Sequence, residues 1–209
     1  AWERAHAEAI RAGDQMQAAS AAVRVAMHLL FDTALMAPVR GWLRRAEQLV
    51  AGQCETGVHA WLAVLRAYER LLSGDFDSAG RWARQAVEMG GRFDPAAAAL
   101  GRVAEARSMI LEGNPQEGLA LLDEAAVSAV SGELDPITTG VVFCEVVCAL
   151  QALAQYDRAE EWTAAMEQWH SGLPVGSIHG RCRVHRAEIL RLRGACVEAE
   201  AEALRACDE

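Results

Sequence analysis

Leu71-Leu72-Ser73-Gly74-Asp75-Phe76-Asp77-Ser78-Ala79-Gly80-Arg81-Trp82-Ala83 decides the fold. Before it, Leu62, Val64, Leu65 and Leu72 recur at helical intervals. After it, the Ala-rich run Ala83-Arg84-Gln85-Ala86-Val87-Glu88-Met89 continues as a second helix. Gly74 marks the tight turn between them, since a glycine takes up left-handed backbone without a Cβ clash. The stretch is therefore a helical hairpin. Val142, Val146, Ala149 and Leu150 show the same helical spacing further along, and no alternating run bounded by turns makes a convincing strand.

The hairpin repeats. Glycines close helical runs at Gly13, Gly52, Gly91, Gly132 and Gly172, at intervals of 39, 39, 41 and 40 residues. The inner turns at Gly74, Gly113, Ala154 and Gly194 keep the same interval. Small residues open the second helix of each unit at Val39, Ala79, Gly118, Ala159 and Ala199, and Ala46, Ala86, Ala125, Met166 and Ala206 follow seven positions later. Trp42, Trp82 and Trp162 sit three positions after their openings, where they are expected to pack between units, and Trp2 extends the series backwards. Asp94-Pro95 and Asp135-Pro136 form matched helix starts, Asp capping and Pro pre-set for the first turn. These marks predict first helices over 14–33, 55–73, 95–112, 135–153 and 175–193, and second helices over 37–51, 76–90, 115–130, 156–171 and 195–208.

One hairpin cannot bury its own apolar face, so such units stack. The expected architecture is all-α, a right-handed α-solenoid whose concave side is lined by the first helices. It is a single repeat domain over 1–209, with a partial unit at 1–13 and units at 14–52, 53–91, 92–132, 133–172 and 173–209. The chain starts inside a second-type helix, which reads as an excerpt of a longer polypeptide.

Composition narrows function. With 20 basic residues, all Arg, against 29 acidic ones, the net charge is −9 and the pI about 5.2, which disfavours direct nucleic-acid contact. No apolar run is long enough to span a membrane, and the charged opening Ala1-Trp2-Glu3-Arg4 is unlike a signal peptide. Six cysteines, spread from Cys54 to Cys207, read as reduced thiols of a cytoplasmic protein. Cys144 and Cys148 are four apart, and Cys182 and His185 three apart, but no Cys-x-x-Cys pair exists; neither a metal site nor a cofactor is expected. No nucleophile comes with an activating constellation and no phosphate-cradling glycine loop is present, so the segment reads as non-enzymatic.

The turn Gly74-Asp75-Phe76-Asp77-Ser78-Ala79 resembles the Gly-Asp-Tyr-x-x-Ala pattern of tetratricopeptide repeats, and Gln155-Tyr156-Asp157-Arg158-Ala159 is similar. The period, near 40 rather than the family's 34 residues, and Arg66 and Arg70 in place of its Leu and Tyr, depart from the common repeat. The longer unit resembles the repeat region of bacterial, actinobacterial-like transcriptional regulators of the LuxR and MalT type, most closely over Gly180–Gly194, with Gly41–Ala46 and Leu121–Ala125 also similar. That resemblance implies a segment that senses an effector or partner while a separate helix-turn-helix binds DNA.

Candidate binding residues come from the repeat register. Eleven positions before each opening lie His28, Tyr68, Arg107, Cys148 and Glu188, five polar or titratable groups. Glu145 and His185 stand fourteen before, Trp61 and Arg181 eighteen before. The resemblance implies that the eleven- and eighteen-back positions face the concave groove. A carboxylate at Glu145, within Val142–Cys148, must meet a cavity or a cation such as Arg107 or Arg181. The expected site has an aromatic floor (Trp61, Tyr68) and a polar end (Arg107, Glu145, Arg181, His185, Glu188), suited to an amphipathic small molecule or an extended peptide. The competing readings are that Glu145–Arg181 is an inter-repeat ion pair and Trp61 a packing residue, or that the chain is a protein–protein scaffold with no small-molecule ligand. Other domains of the same polypeptide are the remaining expected partners.

Overall fold

The computed structural model describes residues 1–33, 35–170 and 176–207, and all regular structure among them is helical. It divides into two compact units, 1–115 and 116–209.

Unit 1 contains α1 (Trp2–Ala12), α2 (Gln15–His28) followed by a π-helical turn Leu29–Thr33, α3 (Met36–Val50), α4 (Gly57–Leu72), α5 (Phe76–Phe93) and α6 (Pro95–Leu111). Consecutive helices pack on one another, and α2 also packs on α4, and α4 on α6. Unit 2 contains α7 (Pro115–Val130), α8 (Pro136–Ala152), α9 (Tyr156–His170), α10 (Gly176–Leu192) and α11 (Cys196–Cys207). There α8 packs on α9, α10 on α11, and α8 on α10. The expected helices thus form within a few residues of their expected ends.

Aspartates start the helices. Asp14 accepts from Gln17 N at 2.9 Å, Asp75 from Ser78 N at 3.2 Å and Asp135 from Thr138 N at 3.2 Å, each satisfying an amide with no partner inside its helix. Left-handed glycines end helices or make inner turns at Gly13, Gly52, Gly74, Gly113, Gly132 and Gly194. Ala154 occupies the corresponding turn before α9 with φ +55°.

Gly91 departs from expectation. It has no left-handed backbone and lies inside α5, which continues to Phe93. The functional glycine is its neighbour. A Cβ on Gly90 would stand 2.4 Å from the backbone nitrogen of Ala98 and 2.7 Å from its Cα. Gly90 therefore lets α5 and α6 cross nearly backbone to backbone, with Gly101 and Ala86 close together at the same crossing. No loop separates these helices: Asp94 alone is both the C-cap of α5 and the N-cap of α6. Gly172, the remaining marker, lies outside the described residues.

Two variants separate these roles. Gly90→Ala should destabilise by about 2 kcal/mol through overpacking against rigid backbone. Gly91→Ala, exposed and with open space around it, should stabilise by about 0.5–1 kcal/mol from helix propensity alone. Urea unfolding of the two proteins checks both signs.

Candidate functional site

In unit 1 the expected aromatic floor is packed rather than open. Trp61 is buried, and its indole Nε1–H donates to Asp94 Oδ2 at 2.7 Å. The Arg24 guanidinium lies 5.7 Å from the centre of the same ring. Tyr68 is buried edge-on against Phe31, ring centres 5.0 Å apart. His28 is exposed at the last position of α2, and Arg107 is half-buried on α6. These four side chains do not line the cleft found in this unit.

That cleft lies instead beside α3, α4 and α5. It is an open cleft of about 360 Å³, and its walls include Glu47, His59, Leu62, Arg66, Trp82 and Met89. Its polar centre is an ionic cluster on α4. Arg66 donates through Nε to Glu47 Oε1 at 2.6 Å and through Nη2 to Glu47 Oε2 at 2.7 Å, a two-point pairing. Its Nη1 also reaches the buried Glu69 at 3.5 Å. Hydrogen bonding to Glu47 outweighs the opposing effect of burial and holds the Arg66 guanidinium above its usual range. Glu69 has two further cations, Arg40 at 2.9 Å and Arg70 at 3.3 Å. His59 turns its Nδ1 toward the backbone N–H of Thr56, 3.2 Å away, at the start of α4. The sequence predicts no site here; Arg66 stands out in it only as a departure from the repeat pattern that the chain resembles. Glu69, one residue from a position already singled out, gave no signal through periodicity.

In unit 2, three expected residues converge. Cys148 on α8 places its Sγ 3.0 Å from Nε2 of His185 on α10. The other ring nitrogen of His185 is 3.1 Å from Gln151 Oε1 and 3.7 Å from Glu188 Oε2. Gln151 Nε2 in turn donates to Glu188 at 2.8 Å, fixing the carboxamide orientation. Glu188 is exposed; Glu145 is half-buried on α8 rather than enclosed in the apolar core. The side chain of Arg181 falls outside what the structure describes. The Cys148 thiol is pushed up, first by its contact with Cys144 and then by burial, against the opposing influence of His185. That is the reverse of the depressed thiol pKa that a cysteine nucleophile uses.

The tryptophan register divides: Trp42 and Trp162 meet an earlier helix, whereas Trp82 lines the cleft and Trp2 is exposed. Trp42 on α3 packs edge-on against His6 of α1 at 5.1 Å, and Trp162 on α9 donates to Asp123 of α7 at 3.2 Å. The corresponding position of α11 is Glu202, which is buried. Arg183 donates to it at 2.8 Å, and Arg205 also pairs with it. Glu202 is thus one anchor of Arg183. Burial raises the Glu202 carboxyl, but the hydrogen bonds from Arg205 and Arg183 and the nearby Arg186 charge outweigh it and hold it below the ordinary range.

No family model matches the chain, and no curated protein matches it. Among solved structures it is similar to BtubC (BKLC) from P. vanneervenii, at 15% identity over 99% of this chain and 87% of that one, with a TM-score of 0.62. The shared feature is an all-helical fold. Among the described residues, no helix is long and apolar enough to cross a membrane.

The Glu202 cluster has a pH signature. Its folded-state pKa lies below the ordinary 4.5, so its ion pairs contribute fully above that value and are lost as pH falls through the folded-state pKa. Urea midpoints measured down from neutral pH should drop more steeply in this acid window for the native chain than for Glu202→Gln, which is less stable at neutral pH but lacks this titration.

Proposed function

We propose that the chain is a tetratricopeptide-like solenoid segment of a LuxR/MalT-type transcriptional regulator, and that the cleft beside α3, α4 and α5 receives its effector. Support for the solenoid is the repeated neighbour pattern: α2 against α4 and α4 against α6 in unit 1, α8 against α10 in unit 2. First helices sit beside first helices, with a second helix closing each pair. The roughly 40-residue rhythm and the turn motifs support the family reading.

The single observation that carries the effector reading is the cleft itself. A volume of about 360 Å³ is of the size that small-molecule sites occupy. Leu62, Met89 and the Trp82 ring supply apolar wall, while Gln53, Gln85 and the Glu47–Arg66 pair supply polar contacts. Arg66 already carries carboxylate partners, so the fitting ligand is a neutral amphipathic molecule rather than a strong anion. Effector binding would shift the segment between two packings, which requires unequal affinity for them. Catalysis has no place in this reading, and DNA contact belongs to another part of the regulator, in the cytoplasm.

A protein-binding scaffold is the second reading. Leu72, Leu111 and Leu192 occupy the same repeat position at the ends of α4, α6 and α10, and all three are exposed. Native mass spectrometry on protein purified from its own host separates the two. The effector reading expects one small organic molecule per chain, lost in Trp82→Ala at an unchanged melting temperature. Bare protein, together with a bound polypeptide that Leu72→Asp or Leu111→Asp removes, would overturn it in favour of the scaffold.

A further inference from the structure

A second site lies in unit 2 and shares no residue with the effector cleft of unit 1. Cys144 and Cys148 are four residues apart on α8, so both sulfurs project from one face of that helix. His185 comes from α10, 37 residues beyond Cys148 in sequence, and directs Nε2 at the Cys148 sulfur. The three ligating atoms all lie within 4.8 Å of one another. We propose that Cys144 Sγ, Cys148 Sγ and His185 Nε2 form a binding site for a thiophilic d10 cation, Zn2+ or Cu+.

The donor set selects the metal class. Two thiolates and an imidazole are the soft and borderline ligands that hold Zn2+ and Cu+, and they discriminate against Mg2+ and Ca2+. The dimensions fit too. Metal–sulfur and metal–nitrogen bonds of about 2.3 and 2.0–2.1 Å separate neighbouring ligand atoms by roughly 3.5–3.8 Å in a tetrahedral site. The 3.0 Å Cys148–His185 contact needs only a small opening to admit the ion. Cu+ is satisfied by three such ligands, while Zn2+ would complete its shell with water from the half-buried side.

The independent support is the far side of the imidazole. A metal-bound histidine holds its other nitrogen in a hydrogen bond that fixes its tautomer and orientation. In this chain His185 Nδ1 faces Gln151 Oε1 at 3.1 Å, and Gln151 is itself anchored to the Glu188 carboxylate at 2.8 Å. The ring is thus oriented with Nδ1 as donor and Nε2 free of its proton, the form that ligates. Binding exchanges the two thiol protons for the cation, so two protons pass to solvent and no oxidant or reductant is needed. Occupancy fastens α10 to α8, two helices that already pack together. The sequence speaks against metal chemistry because no Cys-x-x-Cys pair exists; folding brings His185 to the Cys144–Cys148 pair instead.

The test uses the full chain, reduced, carrying Cys54→Ser, Cys196→Ser and Cys207→Ser to remove the exposed thiols. Zn2+ and Cu+ are each titrated against a chromophoric chelator, and Co2+ serves as an optical probe. The expected result is one equivalent of Zn2+ or Cu+ per chain, with a thiolate-to-cobalt charge-transfer band for Co2+. Gln151→Ala should weaken binding about 10–100-fold as an outer-shell change. Cys148→Ala and His185→Ala should weaken it further and abolish the band, and His185→Gln stands in should either fail to fold. Saturating metal should raise the melting temperature of the parent but not of these variants. Retention of only one of the two ions identifies the metal. Absence of stoichiometric binding by both, or binding that survives in Cys148→Ala and His185→Ala, would overturn the site.

Discussion

Asp94 ties α4, α5 and α6 together. One residue ends α5, begins α6 by accepting from Ala96 N at 3.0 Å and Ala97 N at 3.3 Å, and accepts a hydrogen bond from the indole N–H of Trp61 on α4. Three helices therefore meet at a single carboxylate. The geometry works only because Gly90 lets α6 approach within backbone contact immediately after the chain reverses. With no loop to absorb misfit, the crossing of α5 and α6 is fixed by covalent geometry, a cap and a missing side chain together. The core of alanines along these helices, including Ala86, Ala97 and Ala98, follows from that closeness, since larger residues would hold the backbones apart.

Charge is buried in this protein in a consistent manner. Glu69 lies among Arg40, Arg66 and Arg70, and Glu202 beside Arg183 and Arg205. In each case one carboxylate with almost no solvent access is surrounded by guanidinium groups that retain some. The planar, multi-donor guanidinium satisfies several carboxylate lone pairs at once, which an ammonium does less well. A chain whose twenty basic residues are all arginine is well equipped for this arrangement. Removing the carboxylate of such a cluster leaves two or three guanidinium groups facing one another, whereas removing one arginine leaves the carboxylate with its remaining cations.

The fold was legible because its signals are local. Helix spacing, aspartate caps and left-handed glycines act within a few residues, and each recurs every forty or so, so errors at one unit are checked by the next. Gly91 shows the limit of such marks: its neighbour Gly90 is demanded by a helix that arrives later in the chain, a tertiary reason that sequence position does not display. The site was less legible for the same cause. Trp61 and Tyr68 hold registers that the family resemblance assigns to a groove, yet an aspartate at the next helix start and Phe31 cover them. The register did bring Cys148, His185 and Glu188 forward, and Cys144 and Gln151 share α8 with Cys148, but that this face of α8 meets His185 and Glu188 follows only from the packing of α8 on α10. Position along a helix says which face a residue is on; which partner meets that face is settled by three-dimensional neighbours.

The turn before α9 carries a consequence for how the chain tolerates change. Ala154 takes a left-handed conformation where Gly74, Gly113 and Gly194 serve in the equivalent turns. A Cβ in that region costs roughly 1 kcal/mol relative to glycine. This turn is therefore held by the helices on either side rather than by its own preference, unlike the glycine turns at Gly74, Gly113 and Gly194. Mutational drift at this codon is accordingly one-sided: glycine relieves the bend, whereas a branched side chain such as valine would deepen the penalty and unseat α9 from α8.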